Sequence, residues 1–230
     1  MKNIVILTGA GISAESGMGT FRDAGGLWTQ YALEDVATPE GFARNPALVQ
    51  AFYNKRRVMA AEATPNAAHL ALARLQRDWP GRVSLVTQNV DGLHEKAGAS
   101  DVIHMHGELA GALCAACAHR WSARPEMAVG ETCPSCSGPY GRPDVVWFGE
   151  IPYHMERISD LLDAADIFAA IGTSGQVYPA AAFVHQASAA GAQTVELNLE
   201  PSELSPVFET RRLGPATQVV PAWVAELCGG

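Results

Sequence analysis

Asn3-Ile4-Val5-Ile6-Leu7-Thr8-Gly9-Ala10-Gly11-Ile12-Ser13-Ala14 opens the chain and decides its fold. Residues 3–8 form a short aliphatic run with no polar alternation, the pattern of a strand buried on both faces of a parallel sheet. Glycine ends the run at once, and Gly9-x-Gly11-x-x-Ala14 has the spacing of a dinucleotide-binding turn. In such a turn Gly9 permits the tight reversal and Gly11 lets backbone approach a pyrophosphate. Ala14 permits close packing at the start of a helix whose free N–H groups favour an anion. The spacing is also compatible with a glycine-rich turn that binds nothing; the strand before it favours the ligand. A hydride-transferring dehydrogenase has a second strand ending in an acidic residue about 20 residues on. Here Ser16-Gly17-Met18-Gly19-Thr20-Phe21-Arg22-Asp23 follows and reads as a polar loop, which argues against hydride transfer.

Similar β-branched runs recur at residues 83–87, 102–105, 144–148, 167–171, 194–197 and 218–220. Helical patterns separate several of them, over 66–79, 154–165 and 180–190. This alternation predicts an α/β protein with a Rossmann-like, doubly wound parallel sheet. Two stretches interrupt it: 31–64, with a helix expected over 46–62, and 107–143, rich in Gly and Pro. The expected division is a Rossmann-like dinucleotide-binding domain from 1–30, 65–106 and 144–230. A smaller domain with a helical insertion takes 31–64 and 107–143, and the cysteines of the second stretch make it a zinc ribbon.

The second interruption holds Cys114-x-x-Cys117, fifteen residues, and Cys133-x-x-Cys136. Each pair puts two thiolates on one tight turn, and two pairs at this separation are the ligand set of a tetrahedral zinc. Four thiolates close the coordination shell, so one structural zinc is expected per chain and no catalytic metal. Cys228, the fifth cysteine, reads as an idle thiol.

Polar residues follow several expected strands. Gln88, Asn89 and Asp91 come after 83–87, Gly172-Thr173-Ser174 after 167–171, and Asn198-Leu199-Glu200 after 194–197. Ligands of open α/β sheets lie beyond the carboxyl ends of strands, and these side chains suit ribose hydroxyls and a carboxamide. Each loop alone is also what a polar turn with a helix cap looks like. His104 and His106 share one face of an extended segment. A strand-end histidine is suited to general-base work because its pKa lies near working pH; a hydrogen-bonded structural histidine fits the same position. Tyr53 and Arg56 are three apart and share a helix face, which by spacing alone reads as solvated.

At 230 residues, 48% hydrophobic and 17% charged, the chain is long and apolar enough to bury a core. Its net charge of −8 argues against a nucleic-acid or anionic-membrane binder. No apolar run approaches the roughly 20 residues of a spanning helix. Residues 4–7 are too short for a signal-peptide core. With zinc-type cysteines, this points to the cytoplasm.

Taken together, the motifs resemble a sirtuin, an NAD-dependent protein-lysine deacylase. Gly9 to Gly17 followed by Phe21-Arg22 resembles the family's first motif, and Thr87-Gln88-Asn89-Val90-Asp91-Gly92-Leu93-His94 its second. His104-Met105-His106-Gly107 matches the segment of the catalytic histidine, which falls on His106. The segments at 172–174 and 198–200 resemble later NAD-binding elements. Tyr53-x-x-Arg56, with Gly26-Leu27-Trp28, resembles the branch that removes acidic acyl groups such as succinyl and malonyl.

The resemblance implies NAD consumed as co-substrate, with nicotinamide, O-acyl-ADP-ribose and free lysine as products, and His106 as base on the ribose hydroxyls. It implies nicotinamide-side roles for Asn89 and Asp91, adenosine-side roles for Ser174 and Asn198, and backbone contact to adenine at Ala216. Gly9, Ala10, Gly11, Ala14, Phe21, Arg22, Gln88, Gly172, Thr173, Leu199 and Glu200 complete the implied NAD set. The implied partners are acyl-lysine proteins, met by a monomer. An ADP-ribosyltransferase using the same pocket and a non-enzymatic zinc-ribbon binding module are the alternatives.

Overall fold

The structure is a computed structural model and describes residues 1–19 and 30–229. In chain order its elements begin with β1 (Ile4–Thr8), α1 (Leu33–Val36), α2 (Pro39–Arg44), α3 (Pro46–Glu62), α4 (Ala67–Asp78), β2 (Val83–Thr87), α5 (Leu93–Lys96) and β3 (Ile103–His104). They continue with β4 (Gly107–Cys114), β5 (Arg120–Ser122), β6 (Gly141–Val145), α6 (Met155–Asp163), β7 (Ile167–Ile171), α7 (Phe183–Ala189), β8 (Gln193–Asn198), β9 (Thr210–Leu213) and α8 (Ala216–Gly229).

Six strands form a parallel sheet in the order β3-β2-β1-β7-β8-β9. All five residues of β1 and of β7 are buried. Ile4 and Ile6 pack with α4 and α8 residues such as Leu72, Leu75 and Trp223. Val5 and Leu7 face the opposite way, toward Ile158, Leu162, Phe183 and Val184 of α6 and α7. Helices on both sides leave no polar face, which is why the strands read as unbroken apolar runs. The chain leaves β1 toward β2 on one side and returns to β7 on the other, so the sheet reverses direction at the carboxyl end of β1. That switch point is where an open α/β sheet has its crevice.

The smaller sheet is antiparallel, β5-β4-β6. Helix α3 packs over it through a third apolar cluster that includes Val49, Phe52, Tyr53, Leu109, Val145 and Trp147. Asn45 caps α3 by accepting from Leu48 N–H at 3.0 Å, with proline at the first turn. At its other end Lys96 Nζ donates to the carbonyls of Ala60, Ala61 and Ala63 at 2.7, 3.0 and 3.1 Å. A cation on exposed terminal carbonyls offsets the helix dipole.

Two expected strands are corrected. The run at 144–148 is not a strand of the large sheet: Gly107, at φ +77, turns the chain so that β6 pairs antiparallel with β4. The run at 218–220 lies inside α8, where Val220 and Trp223 bury against α4. A short apolar run bears no period that separates strand from buried helix. The true edge strand, β9, has the sequence Thr210-Arg211-Arg212-Leu213 and carries charges, as exposed edges do.

Candidate active site

The loops at the carboxyl ends of β1, β2, β3, β7 and β8 are tied to one another by hydrogen bonds. Gly11 N–H donates to Gly172 O at 2.9 Å, joining the β1 and β7 turns. Asn89 Nδ2 donates to Gly9 O at 3.1 Å and to Ser13 Oγ at 3.2 Å, joining β2 to β1. Asn198 Nδ2 donates to Thr173 O at 2.8 Å, joining β8 to β7. His106 Nδ1 lies 3.1 Å from Gln88 O, joining the end of β3 to β2. Gly9, Gly11, Gln88, Asn89, His106, Gly172, Thr173 and Asn198 are thereby brought to one crevice. Ser174 follows in the same loop, accepting from Gln176 N–H.

The glycines have a reason the motif did not give. A Cβ on Gly11 would stand 2.7 Å from Gly172 Cα, and one on Gly9 2.7 Å from Gly172 O. Both are needed so that two strand-end turns can touch, with Gly172 itself at φ +63. Nor does a long helix start at Ala14. The chain instead makes two 3₁₀ turns, Ala10–Ile12 and Ala14–Ser16, and Ala14 is exposed.

Other expected residues stand apart. Leu199 and Glu200 are exposed. Ala216 begins α8, and its neighbour Thr217 donates from N–H and hydroxyl to the Glu15 carboxylate at 3.1 and 2.7 Å. Phe21, Arg22 and the Gly26-Leu27-Trp28 segment lie outside the described residues.

The two histidines beside the crevice differ in charge preference. A carbonyl only accepts, so His106 Nδ1 carries the proton and Nε2 keeps its lone pair. Burial pulls the His106 pKa below its ordinary value, against a smaller opposing pull from the Gln88 carbonyl. Burial also disfavours charge on His104. There, Glu95 Oε1 at 2.9 Å and Glu108 at 3.8 Å outweigh it and hold the pKa above the ordinary value. One imidazole is thus held toward its neutral, accepting form and the other toward its charged, paired form.

Asp91 is buried and accepts from Leu93 N–H at 3.1 Å. Burial raises its pKa, while Leu93 N–H, the Ser13 hydroxyl and the Arg56 charge oppose the rise. Behind it lies a polar layer that motif reading missed. His69 Nδ1 accepts from Asn66 N–H at 3.3 Å, so its Nε2 donates toward Ser13 Oγ at 3.4 Å. Burial takes the pKa of His69 down to about 3 and that of His94 to about 4, so both are neutral. A histidine on the apolar face of α4 was the available signal.

Tyr53 is 1% exposed, and its hydroxyl accepts from Trp147 Nε1 at 2.9 Å. The half-buried Arg56 guanidinium stands 5.9 Å from the Tyr53 ring centroid and 5.8 Å from that of Phe52. The expected pair does share a face.

The four knuckle sulfurs lie within 4.8 Å of one another, with Cys114–Cys136 and Cys117–Cys133 each 3.7 Å apart. Tetrahedral Zn–S bonds of about 2.3 Å require S···S separations of about 3.8 Å, so the sites fit zinc. The knuckles repeat each other, with Ala118 N–H on Cys114 O at 3.0 Å and Ser137 N–H on Cys133 O at 2.9 Å, at φ +57 and +58.

Residues 9–179 match the model of the Sir2 family. The chain belongs to the Sir2 family. An NAD-dependent protein deacylase of Caulobacter vibrioides is 57% identical to it over 97% of this chain and 96% of its own length. An NAD-dependent protein deacylase of Escherichia coli K12 is 55% identical over 99% and 82%. Among solved structures, a Sir2 homologue–NAD complex superimposes with TM-score 0.91 at 37% identity, covering 98% of this chain and 89% of that one. A Sir2 variant with a deacetylated p53 peptide and 3′-O-acetyl ADP-ribose gives 0.80 at 26% identity over 97% and 92%. Among the described residues of this Sir2 member, no helix is long and apolar enough to cross a membrane.

Proposed function

We infer that this Sir2 member is an NAD-dependent protein-lysine deacylase that removes acetyl and also acidic acyl groups, succinyl and malonyl. One observation carries the reading: His106, drawn toward its neutral form by burial and its Nδ1 held by Gln88 O, stands beside the buried Asn89–Asp91 loop with no hydrogen-bond partner on Nε2 among the described residues. When bound, NAD supplies a ribose carbon from which nicotinamide departs. His106 Nε2 takes the proton of a ribose hydroxyl, work that a cationic imidazole cannot do. Asn89 and Asp91 hold the nicotinamide side, and the 9–14, 172–174 and 198–200 loops with Ala216 hold the phosphates and adenosine. Phe21 and Arg22 enter on the resemblance alone. Cys114, Cys117, Cys133 and Cys136 hold one zinc, which supplies folding energy to the smaller sheet and takes no part in the reaction.

The acyl specificity rests on Arg56 and Tyr53. The Tyr53 hydroxyl accepts from Trp147 and so keeps its own proton to donate. An acyl carboxylate meets that proton and two parallel guanidinium N–H groups. Acetyl-lysine has nothing to offer them. The test is competition between succinyl- and acetyl-lysine forms of one peptide with NAD, products read by mass spectrometry. Free lysine, nicotinamide and O-acyl-ADP-ribose are expected, with succinyl-peptide consumed as well as acetyl-peptide. ADP-ribose attached to protein would overturn deacylation, and untouched succinyl-peptide would overturn the acyl assignment.

A further inference from the structure

Helix α3 carries Gln50, Asn54 and Arg57 on one face, at i, i+4 and i+7, and this polar stripe is turned away from water. Gln50 is 2% exposed and Arg57 8%. Among the described residues, every hydrogen-bond partner outside the helix belongs to the segment that bears the cysteines. Gln50 Nε2 donates to Gly141 O at 3.3 Å. Asn54 Nδ2 donates to Met127 O and its Oδ1 accepts from Met127 N–H, both at 3.0 Å. Arg57 Nε donates to Leu109 O at 2.9 Å, and its two terminal nitrogens reach Asn54 Oδ1 and, at 3.0 Å, Met127 Sδ.

Apolar packing alone fixes the distance of a helix better than its rotation, because it is non-directional. Directed hydrogen bonds fix rotation. Tyr53 and Arg56 lie about a quarter-turn round the helix from the stripe, at about 100° per residue. A rotation of about 10° moves a group about 6 Å from the axis by about 1 Å. Misplacement of that size costs up to about 100-fold in rate where geometry is demanding.

We propose that Arg57, working through Asn54, is a positioning residue that sets the rotation of α3 from the zinc-bearing sheet and so aims Tyr53 and Arg56 at the acyl group. The role in specificity rests on the acidic-acyl reading above; the control of α3 does not. Arg57→Met is prepared with its zinc content measured, beside Arg56→Met and Arg57→Lys. Hydrogen exchange across 46–62 and kcat and KM for succinyl- and acetyl-peptide are then recorded. With zinc still at one per chain, Arg57→Met is expected to lose α3 protection by roughly 10- to 150-fold, the equivalent of one buried charged hydrogen bond. Its KM for succinyl-peptide should rise by about 10-fold while acetyl-peptide changes little, and Arg57→Lys, which keeps the charge without the fork, should recover part of both.

Wild-type α3 protection in zinc-loaded Arg57→Met overturns the proposal whatever the acyl specificity proves to be. Equal losses on both substrates, with no recovery in Arg57→Lys, overturn it in favour of a merely structural role. An unchanged succinyl-to-acetyl ratio in Arg56→Met sinks the acyl reading instead, and exchange then judges Arg57 alone. If Arg57→Met does not fold, Asn54→Ala, at a half-buried position, removes the Met127 clamp and carries the same measurements.

Discussion

The large parallel sheet and the small antiparallel sheet hold together by different means. In the large one, every residue of β1 and β7 is buried between two layers of helices. Each such Val, Ile, Leu or Phe contributes about 1.5–3 kcal/mol by leaving water. The small sheet is less evenly buried. Its β5 has no buried residue, and β4 alternates buried with exposed. All of β6 is buried, but two of its five residues are charged. Arg142 there pairs with Glu150 at 2.6 Å and stacks 3.5 Å from the Trp147 ring centroid. Asp144 accepts from Arg120 at 3.0 Å and from Tyr153 at 2.8 Å. A sheet with so little apolar burial depends on its sulfurs. His106 stands on the seam: its ring bonds the β2 loop of the large sheet, and its carbonyl accepts Val146 N–H, just past β6, at 2.9 Å.

The largest test of this contrast is zinc removal. Chelation, or Cys114→Ser, should melt β4–β6 and abolish turnover, while hydrogen exchange in β1, β7 and β8 stays slow. Structural zinc supplies about 10–16 kcal/mol in small zinc-finger peptides. Elemental analysis with exchange by mass spectrometry reads both halves, and simultaneous melting of the two sheets would show them to be one cooperative unit.

Next in size is the seam. His106→Ala should fold, keep its zinc and lose about 10²–10⁴-fold in kcat/KM, the usual worth of a positioned base. The pH profile sharpens this. The neutral form is active and burial lowers the His106 pKa, so activity should persist to lower pH than the ordinary histidine value of about 6.5 and fall only below it. An acid limb above that value would mean another group titrates.

Smaller again is Arg56→Met. It should cost succinyl-peptide about 10- to 150-fold in kcat/KM and leave acetyl-peptide nearly unchanged. Equal losses would make Arg56 a support of the fold.

The smallest effect belongs to His104. Its folded pKa is raised, so the stability of its pair with Glu95 is complete below about pH 6.5 and is lost as pH rises through the folded value. Glu95→Gln should therefore lower the melting temperature at about pH 6 and matter less at about pH 9, by no more than about 1 kcal/mol because Glu95 is exposed.

Much of this was legible locally. The helix expected over 46–62 has those bounds, because Asn45 and Pro46 start it in sequence as in space. The knuckle spacing alone foretold four converging sulfurs. The runs at 144–148 and 218–220 were misread because a few apolar residues have no period, and only their eventual neighbours choose strand or helix. Gly11 was read as making room for a ligand; the structure adds that it makes room for Gly172, which comes 161 residues later.

The sequence by itself determined what local chemistry determines: the buried strands, the caps, the paired thiols and the residue types at the strand ends. Tertiary structure decided which histidine is drawn toward its neutral form. His104 and His106 are two residues apart in one extended segment and indistinguishable by spacing. Glu95 reaches one and the Gln88 carbonyl the other. Protonation is set by burial and by the charges that folding brings near, and neither is written in a residue's own neighbours along the chain.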